Sequence, residues 1–254
     1  SDSLSRRRTY GSVVVISTAR SAGSDAIAVG TQLIRSGAAE SCVCGGGDVL
    51  TEAKRVGHSA LGTLAANGIY PFDVRHNGTI LGEGGGAVVL DRHPGDRPYA
   101  IVRGTGMAND ATSLAAPDAR GRGLRFAINR ALRDASAKSG DVGVINSHGS
   151  GTVANDTAER DVFNELFGDT NVVVSATKPN VGHTLGATGA IEAIATILTA
   201  RAGVAPEILG LEQPDPLFHL SLPIGRPARF ANGLALSVTL GFGGFDTCLA
   251  FEAL

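Results

Sequence analysis

His148 lies in Ile145-Asn146-Ser147-His148-Gly149-Ser150-Gly151-Thr152, directly after an apolar run and just before Asn155-Asp156 open a helical stretch. Ligands of open α/β sheets bind beyond the carboxyl ends of strands, and glycine beside a side chain lets a substrate approach the backbone. The glycines and hydroxyls around His148 therefore favour a functional over a structural histidine. His183 stands in a second such stretch, Thr177-Lys178-Pro179-Asn180-Val181-Gly182-His183-Thr184, again after a strand-like run and ahead of an apolar helix. Helix N-termini favour negative charge and leave backbone N–H groups free, so His183 with Lys178 suits stabilisation of a developing oxyanion or enolate. The alternative is an N-cap cluster with a surface lysine; two histidine-bearing turns at equivalent points of the chain weigh against it.

A nucleophile has an obvious place and no obvious occupant. Ser17-Thr18-Ala19-Arg20-Ser21-Ala22-Gly23 follows the β-branched run Val13-Val14-Val15-Ile16, where a strand-to-helix turn presents a reactive group, yet its apex is Arg20. Ser17, Thr18 and Ser21 are ordinary turn residues unless a base reaches them. The glycine stretches Leu81–Gly86 and Gly241–Gly244 lack the following Lys-Ser/Thr of a phosphate loop, which leaves backbone packing or a substrate-facing turn. Cys42, Cys44 and Cys248 sit in apolar strand-like runs, with a spacing that fits neither a disulfide framework nor a zinc site. They read as small buried hydrophobes, and no metal is expected.

These residues need a scaffold, and the pattern supplies one. Strand-like runs at Val13–Ile16, Cys42–Gly46, Tyr99–Met107, Val142–Asn146, Asn171–Ser175, Leu234–Leu240 and Thr247–Phe251 alternate with helical stretches. The helical stretches are Ser24–Arg35, Glu52–Ala66, Gly121–Ala137, Asn155–Phe167 and Leu185–Ala202, while Thr79–Leu90 reads as a glycine-interrupted strand pair or long strand. This is an α/β fold with a mainly parallel sheet covered by helices on both faces. The order strand, turn, helix, strand, strand occurs from Val13 to Leu90 and again from Val172 to Phe251. Only the second copy is preceded by strand-helix-strand-helix, so the first is expected to lack its opening β-α-β-α. Arg92–Pro98 reads as the linker between the two.

Composition excludes several classes. Thirty-five glycines in 254 residues, without a G-X-Y period, suit a fold of many tight turns, and 43% hydrophobic residues provide a sizeable core. Twenty-two basic against 24 acidic side chains leave no footprint for nucleic acid or an anionic membrane surface. No uncharged apolar run is long enough for a membrane span, and Ser1–Arg8 lacks the apolar core of a secretory signal, which makes the cytoplasm the default expectation.

The set Pro71-Phe72-Asp73, Gly82-Glu83-Gly84, Gly104-Thr105-Gly106-Met107, Ala116-Pro117-Asp118, His148–Thr152 with Asn155-Asp156 and Glu159, Thr177-Lys178 with Gly182-His183 and Gly186-Ala187, Pro214-Asp215-Pro216 and Gly241–Gly244 resembles the β-ketoacyl-acyl-carrier-protein synthases of the thiolase-fold superfamily. The likeness runs from about Val13 to the C-terminus. It implies a thiolase-like duplicated α/β fold of sheet layers and helices, with residues 1–97 as a partial N-terminal half and residues 98–254 as a complete C-terminal half. It implies no cofactor. The family's nucleophilic cysteine falls at Arg20, and an arginine, always charged, cannot form an acyl-enzyme. His148, Lys178 and His183 match the remaining catalytic positions, Glu159 a structural carboxylate and Phe242 the aromatic gate of the acyl pocket. The chain departs from the family at His76, where arginine is usual, and at Phe245-Asp246, where Thr-Asn is usual.

Two functions are compatible with that resemblance. One is a catalytically silent subunit similar to the chain-length factors of type II polyketide or aryl polyene pathways. It would heterodimerise with an active ketosynthase through the edge Val13, Val14, Val15 and Ile16, supporting polyketide or fatty-acid-type elongation and meeting acyl carrier protein through the complex. The other is a malonyl-carrier-protein decarboxylase using His148, His183 and Lys178 without acyl transfer, in which Arg20 would crowd the pocket.

Overall fold

The computed structural model describes residues 11–93, 95–231 and 233–254. In chain order the elements are α1 (Ala22–Arg35), β1 (Ser41–Asp48), α2 (Glu52–Ala60), β2 (Gly84–Asp91), β3 (Ala100–Asn109), α3 (Arg122–Asp134), β4 (Val142–Asn146) and α4 (Val153–Phe167). They continue with β5 (Val173–Ser175), the short α5 (Lys178–Val181), α6 (Thr188–Ala202), β6 (Val204–Ala205), β7 (Ala228–Arg229), β8 (Leu234–Leu240) and β9 (Phe245–Ala253). Single 3-10 turns, Ala19–Ser21 and Leu185–Ala187, lead directly into α1 and α6.

Continuous apolar runs make strands that are buried on both faces. Accordingly β4, β5 and β8 are buried along their whole length in a five-stranded sheet of order β3-β9-β8-β4-β5. The β8-β4 and β4-β5 ladders are parallel, while β9 pairs antiparallel with both β3 and β8. Four strands thus point one way and β9 alone opposes them. The main core joins α3 and α4 to this sheet through Leu124, Ile128, Phe163, Phe167 and Leu236.

The sheet's other face meets α6 and α1, which also pack on a separate antiparallel pair, β1-β2. The two helices touch through glycine: a Cβ on Gly23 would sit 2.5 Å from the Ala190 nitrogen, and one on Gly189 would sit 2.4 Å from the Ser24 nitrogen. A second core of Ile27, Ala28, Cys44, Ala193, Leu249 and Phe251 fills the space between the sheets. The layers therefore run helices, five-stranded sheet, α1 with α6, two-stranded sheet.

Several elements differ from the sequence pattern for identifiable reasons. Val13–Ile16 is not a strand: it joins no sheet among the described residues, because a ladder needs a neighbour and none lies beside it. Val13 and Val15 are 89% and 84% exposed. The second helix stops at Ala60 rather than Ala66, since Gly62 takes φ +64° and ends it. Residues 79–82 do not extend β2 but run beside His183, whose N–H donates to the Ile80 carbonyl and whose carbonyl accepts from Gly82 N–H. The apolar stretch from Leu185 breaks into a 3-10 turn and α6 because Leu185 itself has φ +52°. No helix of the described residues is long and apolar enough to cross a membrane.

Candidate functional site

At the carboxyl end of β4 the chain turns through Ser147-His148-Gly149, with Gly149 at φ +44° and Gly151 at φ +75°. Glu159, one turn and a half into α4, reaches back and accepts the N–H groups of His148 (2.6 Å) and Gly149 (2.8 Å), which fixes the turn. Burial, with Asp156 beside it, pushes the Glu159 carboxyl up to about 8. Asp156 holds the next segment, accepting from Phe72 N–H and Gly151 N–H and meeting His76 Nδ1 at 3.0 Å. That contact raises the His76 pKa.

Lys178 begins α5 and is buried, not a surface lysine. Its ammonium donates to Glu192 Oε1 at 2.5 Å and to the His148 carbonyl, and it lies 3.2 Å from His148 Nδ1. An ammonium can only donate, so His148 Nδ1 is the acceptor and the imidazole proton sits on Nε2. His183 Nδ1 accepts from Leu185 N–H at 3.2 Å and meets the Thr188 hydroxyl at 3.0 Å, which assigns its proton to Nε2 as well. Both rings are fully buried and held neutral, by desolvation first and then by the positive charges of Lys178 and Arg20. They meet edge to face, centroids 5.3 Å apart, and each Nε2 is buried without a hydrogen-bond partner among the described residues. Two neighbouring N–H donors in a buried site suit an oxyanion or a carboxylate oxygen.

The turn before α1 delivers Arg20 to the same place. Ala19 takes φ +53°, a strained value for a residue with a Cβ, and the 3-10 turn that follows buries Arg20 to 5% exposure. Its guanidinium carbon lies 3.4 Å from the centroid of the Phe242 ring, and its Nε has no hydrogen-bond partner among the described residues. Burial pushes the Arg20 pKa down to about 9. Phe242 stacks in turn on His58, at 5.5 Å between ring centroids, and burial with Arg20 nearby pushes His58 down to about 4. A carboxylate does reach the turn hydroxyls: Asp25 accepts from Thr18 at 2.5 Å and from Ser21 at 2.8 Å, and also takes the Thr247 hydroxyl. Those hydroxyls are committed to Asp25. The thiols lie elsewhere, Cys42 and Cys44 on β1 and Cys248 on β9; burial pushes Cys44 up to about 11 and raises Cys248 further.

The structure thus brings together His148, Lys178, His183, Arg20 and Phe242, with Glu159 behind the first turn. Val13–Ile16 is not among them: residues 14–16 line a groove with residues 45–48. Sequence reasoning missed Glu192, Thr188 and His58. Glu192 had a signal, being the only charge in the otherwise apolar run Thr188–Leu198. His58, in the last turn of α2, had none.

Comparison with known proteins finds β-ketoacyl synthases. The model for the N-terminal domain of β-ketoacyl synthases matches residues 6–94 and that for the C-terminal domain matches residues 99–212. The 3-oxoacyl-[acyl-carrier-protein] synthase 2 of Synechocystis sp. is 34% identical over 249 residues, 92% of this chain and 60% of the relative. The tetracenomycin polyketide synthase ketoacyl synthase alpha subunit of Streptomyces glaucescens is 36% identical over 251 residues, 93% of this chain and 59% of the relative. Among solved structures, a ketosynthase in complex with its chain length factor from Xenorhabdus doucetiae is similar at 33% identity and TM-score 0.86, covering 94% of this chain and 59% of that one. The ishigamide ketosynthase/chain length factor is similar at 29% identity and TM-score 0.88, covering 94% and 60%. The chain spans about 60% of the length of these curated relatives.

Proposed function

The chain belongs to the β-ketoacyl synthase family, and we propose that within it this chain is a catalytically silent, chain-length-factor-like subunit that pairs with an active ketosynthase. Arg20 carries the reading. Acyl transfer needs a thiolate at the apex of the strand-to-helix turn, and that apex holds a buried guanidinium lying over Phe242. Phe242, the expected gate of an acyl pocket, is thereby closed by the chain's own side chain. Solved relatives that consist of a ketosynthase and its chain length factor support the same assignment. In this reading residues 1–97 form a partial N-terminal half, residues 98–254 a complete C-terminal half, and the uncharged edge Val13–Ile16 pairs with its counterpart in the ketosynthase. Acyl carrier protein is engaged through the complex, in polyketide or fatty-acid-type elongation.

Co-expression with an intact ketosynthase of the family tests it. The two chains are expected to co-purify, and Val14→Lys is expected to abolish co-purification. Incubation with acyl-loaded carrier protein is expected to leave the chain's intact mass unchanged. An acyl adduct on Cys42, Cys44 or Cys248, or a monodisperse chain that ignores the ketosynthase, overturns the proposal.

A second reading is favoured by one observation, the neighbouring Nε2–H groups of His148 and His183, both buried and unpartnered among the described residues. Two such donors stabilise the enolate left when a malonyl thioester loses carbon dioxide, so the chain would act as a malonyl-carrier-protein decarboxylase. Carbon dioxide release by the chain alone, lost in His183→Ala, distinguishes this reading from the first.

A further inference from the structure

Among the described residues, the buried side-chain nitrogens without a hydrogen-bond partner are Arg20 Nε, His148 Nε2 and His183 Nε2, and all of them belong to one place. The 3-10 turn that carries Arg20 packs against the Leu185–Ala187 turn that follows His183, and the two imidazoles lie 5.3 Å apart. Each of these nitrogens is a donor. Both Nδ1 atoms are already engaged, which leaves the imidazole protons on Nε2, and a guanidinium only donates.

Arg20 is also a buried cation without a counterion. Burial alone moves its pKa, and no carboxylate pulls the other way. The other deeply placed cations are paired, Lys178 with Glu192 and Arg160 with Asp161 and Asp215. Buried carboxylates around the site have partners of their own: Glu159 takes the His148 and Gly149 N–H groups, and Asp25 takes the hydroxyls of Thr18, Ser21 and Thr247. The imidazoles of His148, His183 and His58 are held neutral, and the Lys178–Glu192 charges cancel, so one positive charge is left over. A buried donor without an acceptor costs free energy, and a buried charge without a partner costs more. Water accepts from two donors but leaves the charge uncompensated. A monoanion satisfies both demands, whereas a dianion would bury a net negative charge.

We propose that Arg20 makes this place a binding site for one small monovalent anion, a halide or a carboxylate of formate size, held by Arg20 Nε–H and the Nε2–H groups of His148 and His183. The imidazoles are fully buried and Arg20 is 5% exposed, so the anion is enclosed and bulky ones are shut out. It binds the folded chain and not the unfolded one, and therefore stabilises it. The inference concerns what compensates Arg20 and rests neither on the silent-subunit reading nor on the decarboxylase reading.

Thermal denaturation tests it at fixed ionic strength, with gluconate, too bulky for the site, exchanged stepwise for bromide or for formate. The midpoint is expected to rise saturably by about 4 °C. In gluconate, where the cation has no partner, Arg20→Met is expected to be the more stable chain, and its midpoint is expected not to respond to the exchange. His183→Phe keeps a ring and removes one donor; half of the rise is then expected to need at least about fivefold more anion. Crystals grown in bromide are expected to show its anomalous signal within hydrogen-bond distance of Arg20 Nε and both Nε2 atoms. A rise as large in Arg20→Met as in the parent overturns the proposal, as does a rise that His183→Phe leaves unchanged. Bromide found on the surface only, or a water molecule at these nitrogens in bromide-grown crystals, also overturns it, and both observations stand even where Arg20→Met fails to fold.

Discussion

Arg20 and Lys178 are both buried cations delivered by a turn to one site, and they are accommodated in opposite ways. Lys178 is paired with Glu192 and donates to the His148 carbonyl. Arg20 lies on the face of Phe242, with its Nε unpartnered among the described residues. The pair in the C-terminal half works as a clamp: it holds His148 in one tautomer and so aims Nε2–H into the site. The arginine in the N-terminal half holds nothing in place by hydrogen bonding through Nε; it fills space and adds positive charge, which helps keep His58, His148 and His183 neutral. Lys178 positions a neighbouring ring, and Arg20 packs on one.

The largest effect is expected from breaking the clamp. Glu192→Leu leaves the Lys178 ammonium buried without its carboxylate, a change that typically costs about 3–5 kcal/mol. Urea denaturation is expected to show that loss, together with a disturbed His148 ring resonance by NMR. A loss below about 1 kcal/mol would mean that the ammonium finds another partner, and the clamp would not be the reason for its burial.

The two sheets sharpen the same contrast through packing alone. Leu236 on β8 is fully buried in the main core, and Leu236→Ala is expected to cost about 2–5 kcal/mol. Val43 on β1 faces outward, and Val43→Ala is expected to change stability by less than about 0.5 kcal/mol in the isolated chain. Equal effects at the two positions would show that the outer face of β1-β2 is covered in solution.

Much of this arrangement is legible in the sequence, and the exceptions share a cause. Val142–Asn146 and Leu234–Leu240 read as strands to the residue because an apolar run bounded by turn residues carries its own burial. Val13–Ile16 is likewise apolar and forms no ladder among the described residues, since pairing depends on a neighbour that composition does not encode. His148, Lys178 and His183 were legible because each follows a strand in a glycine-rich turn. Thr188 and His58 were not: they act from helices, where a polar residue facing a site looks the same in sequence as one facing water. The split at Leu185 was hidden because positive φ at a leucine is imposed by its surroundings, not by its side chain.

Removing the buried charge of Arg20 is expected to stabilise the chain. Arg20→Met keeps most of the side-chain volume and the contact with Phe242 while deleting a buried cation. The lost cation–π attraction, about 1–2 kcal/mol, is smaller than the desolvation it offsets, so a net gain of about 1–2 kcal/mol is expected. Thermal denaturation checks it. A destabilised Arg20→Met chain would show that the guanidinium is anchored by more than the ring, and the contrast with Lys178 would weaken.

The smallest effect separates the influence of Arg20 on its surroundings from its own burial. His58 is buried against Phe242, and burial together with the Arg20 charge lowers its pKa from the ordinary 6.5 to about 4. A base whose pKa is depressed by folding takes up its proton more readily in the unfolded chain. Its contribution is therefore nil above pH 6.5 and becomes destabilising as pH falls through 6.5 toward 4. Between pH 7 and pH 5 this amounts to about 1–2 kcal/mol. Other groups titrate in the same window, Glu159 and His76 among them, so the measurement is a double difference: stability at pH 7 minus stability at pH 5, parent against His58→Phe. The parent is expected to lose about 1–2 kcal/mol more than the variant on acidification. In the Arg20→Met background the difference should shrink, because one of the two causes of the His58 shift has gone. If it is unchanged there, desolvation alone depresses His58, and Arg20 exerts no electrostatic hold on its neighbour.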